Sequence, residues 1–199
     1  MGNNREEQRE DLRKRLIDAA EARIAFSGLE GLKAREVTAD AGCALGMLYI
    51  VFDDLDRLVL QVNSRTLARL GAALAAAVPE GAAPKEVMAA LAQGYLGFAL
   101  GNFRLWSALF THRLPEGVEA PEWHRSEHAV LIAQIIAPLG LLRPDLAGEA
   151  LEQRARTVFA AVHGVVQLAL TARFVGTPRE ALAGEVAALV EAMMRGLAG

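Results

Sequence analysis

Two histidines and a glutamate stand at metal-binding spacing in the middle of the sequence. The segment His124-Arg-Ser-Glu-His128 fits the H-x-x-E-H pattern, in which two histidines one helical turn apart hold zinc and the glutamate activates water. Such a short pattern arises by chance, and the sequence identifies no third ligand. A structural or sensory metal held by His112, His124 and His128 is the alternative. We predict no metal site, no cofactor and no catalytic residue, and a protein that is not an enzyme.

A single cysteine, Cys43, restricts the chemistry further. One cysteine excludes a disulfide scaffold and a four-cysteine zinc module. We expect Cys43 to pack as a small hydrophobic side chain, because a redox switch within the chain needs a second, resolving cysteine.

Aromatic and polar side chains are concentrated in the middle of the chain, where they indicate a small-molecule site. Such sites are apolar cavities with a few convergent polar groups. The candidates in this segment are Tyr95, Phe98, Phe103, Trp106, Phe110, His112, Trp123, His124 and His128. The predicted ligand contacts are Trp106, Phe110, His163 and Gln167. The alternative is ordinary core packing, with His163 bonded to a backbone carbonyl.

The composition predicts a globular, all-helical protein. Apolar residues make up 53% of the 199 residues and charged residues 23%, which excludes intrinsic disorder. Alanine and leucine are abundant, and both are strong helix formers. The net charge of −3 excludes a protein that coats nucleic acid indiscriminately, so any DNA contact must be local.

Two features of the sequence predict a cytoplasmic protein without a membrane partner. The first fifteen residues alternate charges where a secretory signal needs an apolar core. The stretch Val87 to Phe103 is uncharged, but it is interrupted by glutamine and glycine and is shorter than the roughly 20 apolar residues that span a bilayer. We expect that stretch to form a buried helix.

About nine helices are predicted from the apolar spacing and the residues that cap helix ends. Gly28 and Gly42 are expected to end the first two helices, and Asp53-Asp54 to open the fourth. Thr177 is expected to cap the last helix, with Pro178 in its first turn. The predicted helices span residues 8–26, 35–41, 45–52, 53–78, 85–100, 103–111, 122–138, 146–175 and 178–197.

The front of the chain has a helix-turn-helix layout, whose second short helix can enter the DNA major groove. Its motifs are Arg15-Leu-Ile-Asp-Ala-Ala-Glu-Ala-Arg-Ile-Ala-Phe-Ser-Gly28, Val37-Thr-Ala-Asp-Ala-Gly42, Gly46-Met-Leu-Tyr-Ile-Val-Phe52 and then Leu58. Together they resemble the tetracycline-repressor (TetR) family of transcriptional regulators over residues 12–58. Further along, Val158-Phe-Ala-Ala-Val-His-Gly-Val-Val-Gln-Leu168 looks like the His-Gly stretch in the eighth helix of one regulatory-domain subgroup.

The resemblance implies a ligand-responsive regulator, expected to be a repressor, that binds operator DNA and an unknown small-molecule effector as a homodimer. It implies a helix-turn-helix domain at residues 1–58 and a larger effector-binding and dimerisation domain at residues 59–199. The DNA contacts expected for this register are Lys33, Arg35, Leu45, Gly46, Met47 and Tyr49.

The recognition helix departs from the family pattern. Ala44, Leu45 and Met47 replace a small polar cap, a lysine and a threonine, and Ile50 and Val51 follow. These side chains donate no hydrogen bond to a base edge or a phosphate. Between residues 33 and 58 the acidic side chains outnumber the basic ones by two, which disfavours contact with phosphates.

Two hypotheses remain open for this helix. In the first, Leu45 and Met47 contact thymine methyl groups and the shape of the DNA completes recognition. In the second, the unit has lost ordinary DNA binding, and its apolar face meets a protein partner or packs inward, so that the protein acts through protein or small-molecule binding.

The last two helices carry apolar stripes, and the resemblance implies a four-helix interface with the same helices of a second copy. Burial within one subunit is the alternative. The stripes are Ala155, Phe159, Val162, Val166 and Ala169 on one helix, and Leu182, Val186, Leu189, Met193 and Leu197 on the other.

Overall fold

The computed structural model describes residues 2–171 and 176–197, with side chains from residue 5 to residue 195 within those ranges. The described residues form nine α-helices and no strand, which confirms the predicted all-helical class. The helices are α1 Gly2–Ser27, α2 Ala34–Asp40, α3 Leu45–Phe52, α4 Leu55–Ala77, α5 Pro84–Gly101, α6 Phe103–Thr111, α7 Glu122–Leu142, α8 Gly148–Leu170 and α9 Leu182–Leu197. None of these described helices is long and apolar enough to cross a membrane.

The largest differences from the predicted helices lie at the starts of α1 and α9 and at the ends of α7 and α8; α7 continues past Pro138 to Leu142. Helix α1 begins six residues early, because glutamate, arginine and glutamine extend a helix readily without any apolar stripe. Helix α9 begins at Leu182 instead of Pro178. The carbonyls of Pro178 and Arg179 accept hydrogen bonds from the N–H groups of Ala181 and Leu182, so these residues form turns before the helix. The eighth helix was predicted to reach Val175, which lies outside the described residues, but α8 ends earlier, at Leu170, with Thr171 as its C-cap.

The first compact unit consists of residues 1–67 and 102–124. It holds α1, α2, α3 and the first part of α4, with α6 packed against α1. Helix α6 adds Leu105 and Ala108 to the same core cluster. The Arg104 guanidinium donates to the carbonyl of Phe26 at the end of α1. The core of this unit includes Leu16, Ile24, Val37, Leu48, Phe52 and Leu58.

The second compact unit consists of residues 68–101 and 125–199. Within it, α5 packs against both α8 and α9, and α8 packs against α9. Gly94 permits a close approach to α4, because a Cβ atom there would lie 2.8 Å from the Cβ atom of Ala77. These compact units are defined by packing alone, and the functional boundary after residue 58 stays a prediction.

The turns that hold the helix-turn-helix unit follow from residues with unusual backbone freedom. Gly28 and Gly42 adopt φ values of 77° and 66°, the left-handed region expected of residues that end a helix. Asp53 also has a positive φ, of 67°, between α3 and α4. The Asp54 carboxylate accepts from the Arg57 N–H at 2.6 Å, so it caps α4 as its position in the sequence predicts.

Candidate nucleic-acid interface and ligand cavity

Helix α3 presents one face to the core of the first unit and another to solvent. Leu48, Val51 and Phe52 are buried. Tyr49 and Ile50 are 48% and 65% exposed, so the helix is not packed inward along its whole circumference. The eight residues of α3 include no charged side chain, and the Tyr49 hydroxyl is their one polar side-chain group. The exposed face therefore offers apolar contacts and a single phenolic hydrogen-bonding group.

The predicted DNA contacts divide between exposed and half-buried positions. Lys33 lies just before α2 without capping it, and its ammonium is 3.5 Å from Glu36. Arg35 is exposed, and its guanidinium makes no hydrogen bond or ion pair to any described residue. Gly46 is open, since a Cβ atom there would meet nothing within 4 Å. Met47 is half-buried and packs partly against the core, whereas Leu45 is at the exposed edge. All six residues remain predictions as DNA contacts.

Arg23 on α1 neutralises part of the acidic charge on α2. Its guanidinium donates to the Asp40 carboxylate at 2.6 Å and also to Glu36. The hydrogen bond from Arg23 holds the pKa of Asp40 below its ordinary value, and the same bond raises the pKa of Arg23. Glu36 and Asp40, two of the five acidic residues between positions 33 and 58, are thus paired within the first unit.

Two further acids in this region have structural partners. Asp54 caps α4 through the Arg57 N–H. The Asp56 carboxylate is 2.9 Å from Nε2 of His112, which follows α6. These pairings weaken the repulsion of DNA phosphates that a count of charges along the sequence predicts. A carboxylate that accepts a hydrogen bond within the protein repels a nearby phosphate less strongly than a free one.

The N-terminal part of α1 adds arginines beside the recognition helix. Arg5 and Arg9 line an open groove together with Met47 and Ile50 of α3, and the acidic Glu7 and Asp11 line it as well. They are one helical turn apart and share a face of α1. Arg5 lies in the part of α1 that precedes residue 8, where the helix was predicted to begin.

The second unit contains a partly enclosed, mainly apolar cavity. Its volume is about 40 Å³, or about 530 Å³ when the mouth and the solvent in front of it are included. The lining residues are Leu74, Met88, Leu91, Ala92, Tyr95, Leu131, Gln134, Ile135, Val158, Phe159, Val162 and Val190. The side chains of Tyr95 and Gln134 supply the polar groups of this lining.

Tyr95, Phe159 and His163 form an aromatic group at one side of the cavity. The Tyr95 hydroxyl and Nδ1 of His163 are 2.7 Å apart and share a hydrogen bond. The Phe159 ring stacks on His163 with centroids 5.6 Å apart and meets Tyr95 edge-on at 5.5 Å. Burial lowers the pKa of His163, so its imidazole is neutral at pH 7. The group offers hydrogen-bonding atoms without a charge.

The predicted ligand contacts lie in different places. Trp106 and Phe110 belong to the first unit, where their rings meet with centroids 5.5 Å apart and Trp106 is fully buried. His163 lies behind Tyr95 in the second unit. The Gln167 side-chain oxygen is buried there without a hydrogen-bond partner among the described residues. The cavity lining includes none of these four, and they stay predictions.

The histidines of the H-x-x-E-H segment form no recognisable metal centre. Within residues 2–171 and 176–197, no group of three or more histidine, cysteine, aspartate or glutamate side chains has the arrangement needed to hold a metal ion. His112 of the proposed sensory set is engaged with Asp56. Cys43 is half-buried and packs against the core of the first unit, as a small apolar side chain does.

Several residues of the predicted dimer stripes are covered by the chain's own helices. On α8 and α9 the buried members are Ala155, Val162, Val166, Ala169, Leu182 and Val186. These side chains fill the core of the second unit, which is the alternative that the sequence left open. Phe159, Leu189 and Met193 are half-buried, and the side chain of Leu197 lies outside the described residues. The exposed face of α8 includes Ala160 and Leu168 instead.

Comparison with known proteins places this architecture. A family model of the tetracyclin repressor-like C-terminal domain matches residues 88–197. No curated protein matches the chain. Among solved structures, a protein of unknown function from Rhodococcus sp. RHA1 is 26% identical with a TM-score of 0.76, and the match covers 94% of this chain and 96% of that one.

Two other solved structures share the fold at lower identity. A TetR-like transcriptional regulator from Rhodococcus sp. RHA1 is 22% identical with a TM-score of 0.62, covering 94% of this chain and 96% of its own. RolR, in complex with resorcinol, is 23% identical with a TM-score of 0.68, covering 97% and 95%. The family model spans more than half of the chain, and the all-helical fold agrees with it. The chain belongs to the tetracycline-repressor family of transcriptional regulators.

Proposed function

We propose that this protein is a ligand-responsive repressor of transcription that binds operator DNA as a homodimer in the cytoplasm. It acts by binding and not by catalysis. The observation that carries the proposal is the outward-facing recognition helix: Tyr49 and Ile50 on α3 are exposed while Leu48 and Phe52 anchor it to the core. A helix held in this way is available to enter a major groove.

Base recognition in this proposal depends on apolar contacts. Thymine is the one base that presents a methyl group in the major groove, and apolar side chains contact it. Leu45 and Met47 stand at the N-terminal end of α3, the end that reaches base edges in helix-turn-helix proteins. We therefore expect the operator to place thymines opposite these two residues.

Phosphate contacts come from positions around α3 and not from α3 itself. The Arg35 guanidinium has no partner among the described residues, and Arg5 and Arg9 line the groove beside Met47 and Ile50. Each phosphate contact steepens the dependence of log affinity on log salt by about 0.9. With so few donors per subunit, the protein is expected to bind at low ionic strength and to lose affinity steadily as salt is added.

The effector site is the cavity of the second unit. Its apolar lining with the polar groups of Tyr95 and Gln134 has the character of a small-molecule site. The fold neighbour RolR was solved in complex with resorcinol, which supports a small-molecule effector for this fold. Trp106 and Phe110 are not part of this cavity, so we propose Tyr95 and Gln134 as ligand contacts ahead of them.

The dimer is proposed to form through faces of α8 and α9 that the chain leaves exposed. Ala160 and Leu168 lie on the exposed side of α8, and Ala188 and Ala192 on that of α9. Small residues allow two helices to approach closely. The residues buried in the protomer's own core are not available for this contact.

Thymine-to-uracil substitution tests the proposed recognition directly. A bound sequence is first selected from a random DNA pool, and each thymine is then replaced singly by uracil, which removes only the methyl group. Affinity should fall severalfold at the positions opposite Leu45 and Met47. In Leu45→Ala and Met47→Ala proteins the same substitutions should have a smaller effect. Uniform tolerance of uracil would refute readout through thymine methyl groups.

A second function is favoured by the absence of any charged side chain on α3. The exposed face of Leu45, Tyr49 and Ile50 also suits an apolar protein surface, with the helix-turn-helix unit serving as a scaffold. This alternative requires that the purified dimer bind no DNA sequence from the random pool at low salt. Enrichment of any defined sequence excludes it.

A further inference from the structure

One side chain, Gln134 of α7, lines both the cavity of the second unit and an open groove next to it. A groove next to the cavity is lined by Val78, Ala82, Pro84, Val87, Leu91, Gln134, Ala137, Pro138 and Leu141. Leu91 and Gln134 line both the groove and the cavity. A molecule that enters the cavity through this groove therefore passes these two side chains, of which Gln134 is the polar one.

Neither the cavity nor the groove has a charged side chain in its lining. A charged group moved into such surroundings loses its hydration without gaining a partner. The imidazole of His163, behind Tyr95, is neutral at pH 7 because burial lowers its pKa. The lining therefore discriminates against carboxylates and ammonium groups and accepts neutral molecules.

Gln134 has hydrogen-bonding capacity that the fold does not use. Its Nε2 donates to the carbonyl of Gly71 at 3.3 Å. Its side-chain oxygen and second N–H make no hydrogen bond to any described residue. A primary amide provides two donors and an acceptor, so a donor and an acceptor remain at the same point of the wall.

A proline one turn further along α7 leaves another acceptor at this residue. Pro138 lies inside the helix and has no N–H. The main-chain carbonyl of Gln134 consequently lacks the donor that an uninterrupted helix would supply from position 138. Gln134 itself lines the cavity, with a side-chain donor and acceptor that the fold leaves unused. A hydroxyl group, which both donates and accepts, complements this arrangement.

We propose that the cavity binds a neutral, mainly apolar molecule with a hydroxyl group, and that Gln134 selects it by bonding this hydroxyl. The proposal rests on the effector site proposed above and specifies the chemistry of its ligand. The cavity of about 40 Å³ is smaller than the roughly 150 Å³ of an apolar cavity that binds benzene, so a one-ring ligand also occupies the mouth. Full enclosure of such a ring requires movement of the flexible Met88 or of Leu91, which line the cavity.

Three probes of nearly equal size separate the elements of this proposal. Isothermal titration measures the binding of toluene, benzyl alcohol and benzoate to the full-length protein without DNA. Benzyl alcohol should bind about 3- to 10-fold more tightly than toluene, the gain of one net hydrogen bond. Benzoate should bind at least about 100-fold more weakly than benzyl alcohol, because its charge finds no partner in the lining.

Gln134→Leu removes the amide at similar size, and Gln153→Leu makes the same change at an exposed position on α8. In Gln134→Leu the preference for benzyl alcohol over toluene should vanish while toluene affinity stays within about twofold. Gln153→Leu should retain the preference. If Gln134→Leu does not fold, Gln134→Met provides the same comparison.

Three results would overturn the proposal: an unchanged preference in the Gln134 variant, benzoate binding as tightly as benzyl alcohol, or no binding of any probe. These titrations contain no DNA, so their failure leaves the DNA-binding function untouched. Conversely, a protein that binds the alcohol selectively but no DNA retains this inference and loses the repressor function.

Discussion

Substituting Ile50 by lysine places a positive charge on the exposed face of the recognition helix. Ile50 is 65% exposed, so the free energy of unfolding should change by no more than about 0.5 kcal/mol. A lysine that reaches a phosphate adds about 0.9 to the salt slope, or about 1.8 for the two subunits of a dimer. Between 200 and 50 mM salt, the affinity of the Ile50→Lys protein should therefore increase about 12-fold more than that of the wild type.

Fluorescence anisotropy with a labelled operator, measured at four or more salt concentrations, determines both slopes. Val130→Lys is the matched control, because Val130 is also β-branched, is 58% exposed and lies on α7 in the second unit. Its slope should equal that of the wild type. An unchanged slope in Ile50→Lys would show that α3 does not lie against DNA, even if the protein binds it elsewhere.

Three further predictions concern the two units separately. Trp106→Ala should lower the free energy of unfolding by about 3–5 kcal/mol, since Trp106 is fully buried. Trp123→Ala, at a residue that is 39% exposed, should lower it by less than about 1.5 kcal/mol. Urea denaturation measures both values, and equal losses of stability would contradict the assigned packing. Burial lowers the pKa of His163, so the unfolded chain binds more protons than the folded one between that lowered pKa and the ordinary value of about 6.5. The free energy of unfolding should be highest above this pH window and fall as the pH falls through it, and His163→Gln should make it less pH-dependent. The reverse slope would refute a buried neutral histidine. Leu168→Arg, on the exposed face of α8, should convert a dimer into a monomer in size-exclusion chromatography with light scattering, while Leu141→Arg on α7 should not; a Leu168→Arg dimer would exclude the proposed interface.

The helices of this protein were predictable because the signals that define them are local. Leu45–Phe52 and Phe103–Thr111 have the bounds that the sequence predicts. The cap at Asp54 and the left-handed turn at Gly28 involve residues only a few positions apart. The start of α9 was placed too early because a proline at the first turn of a helix and a proline in a preceding turn have the same local signature.

The site chemistry was less predictable, because it depends on residues distant in sequence. Tyr95 and His163 are 68 positions apart, and nothing in the spacing of either indicates that they share a hydrogen bond. Arg23 lies outside the segment whose charges were counted, although it pairs with both Glu36 and Asp40. An apolar stripe likewise does not specify what covers it, so core residues of α8 such as Val166 were indistinguishable from dimer contacts.

Gln134 had little in the sequence to distinguish it. It is one glutamine within an apolar stretch of α7, and its place in the cavity lining follows from the packing of residues from α4, α5 and α7. The proline at position 138 is the nearest local sign, since a proline inside a helix frees the carbonyl four residues earlier.

The most direct test of the proposed function is a gel-shift measurement of the wild-type protein on the DNA upstream of its own gene, at low and at high salt. A retarded band at low salt that weakens progressively as salt increases is the expected result, because a few phosphate contacts around an uncharged helix supply the affinity. Absence of any shift at low salt would contradict the assignment of α3 as a reader of DNA.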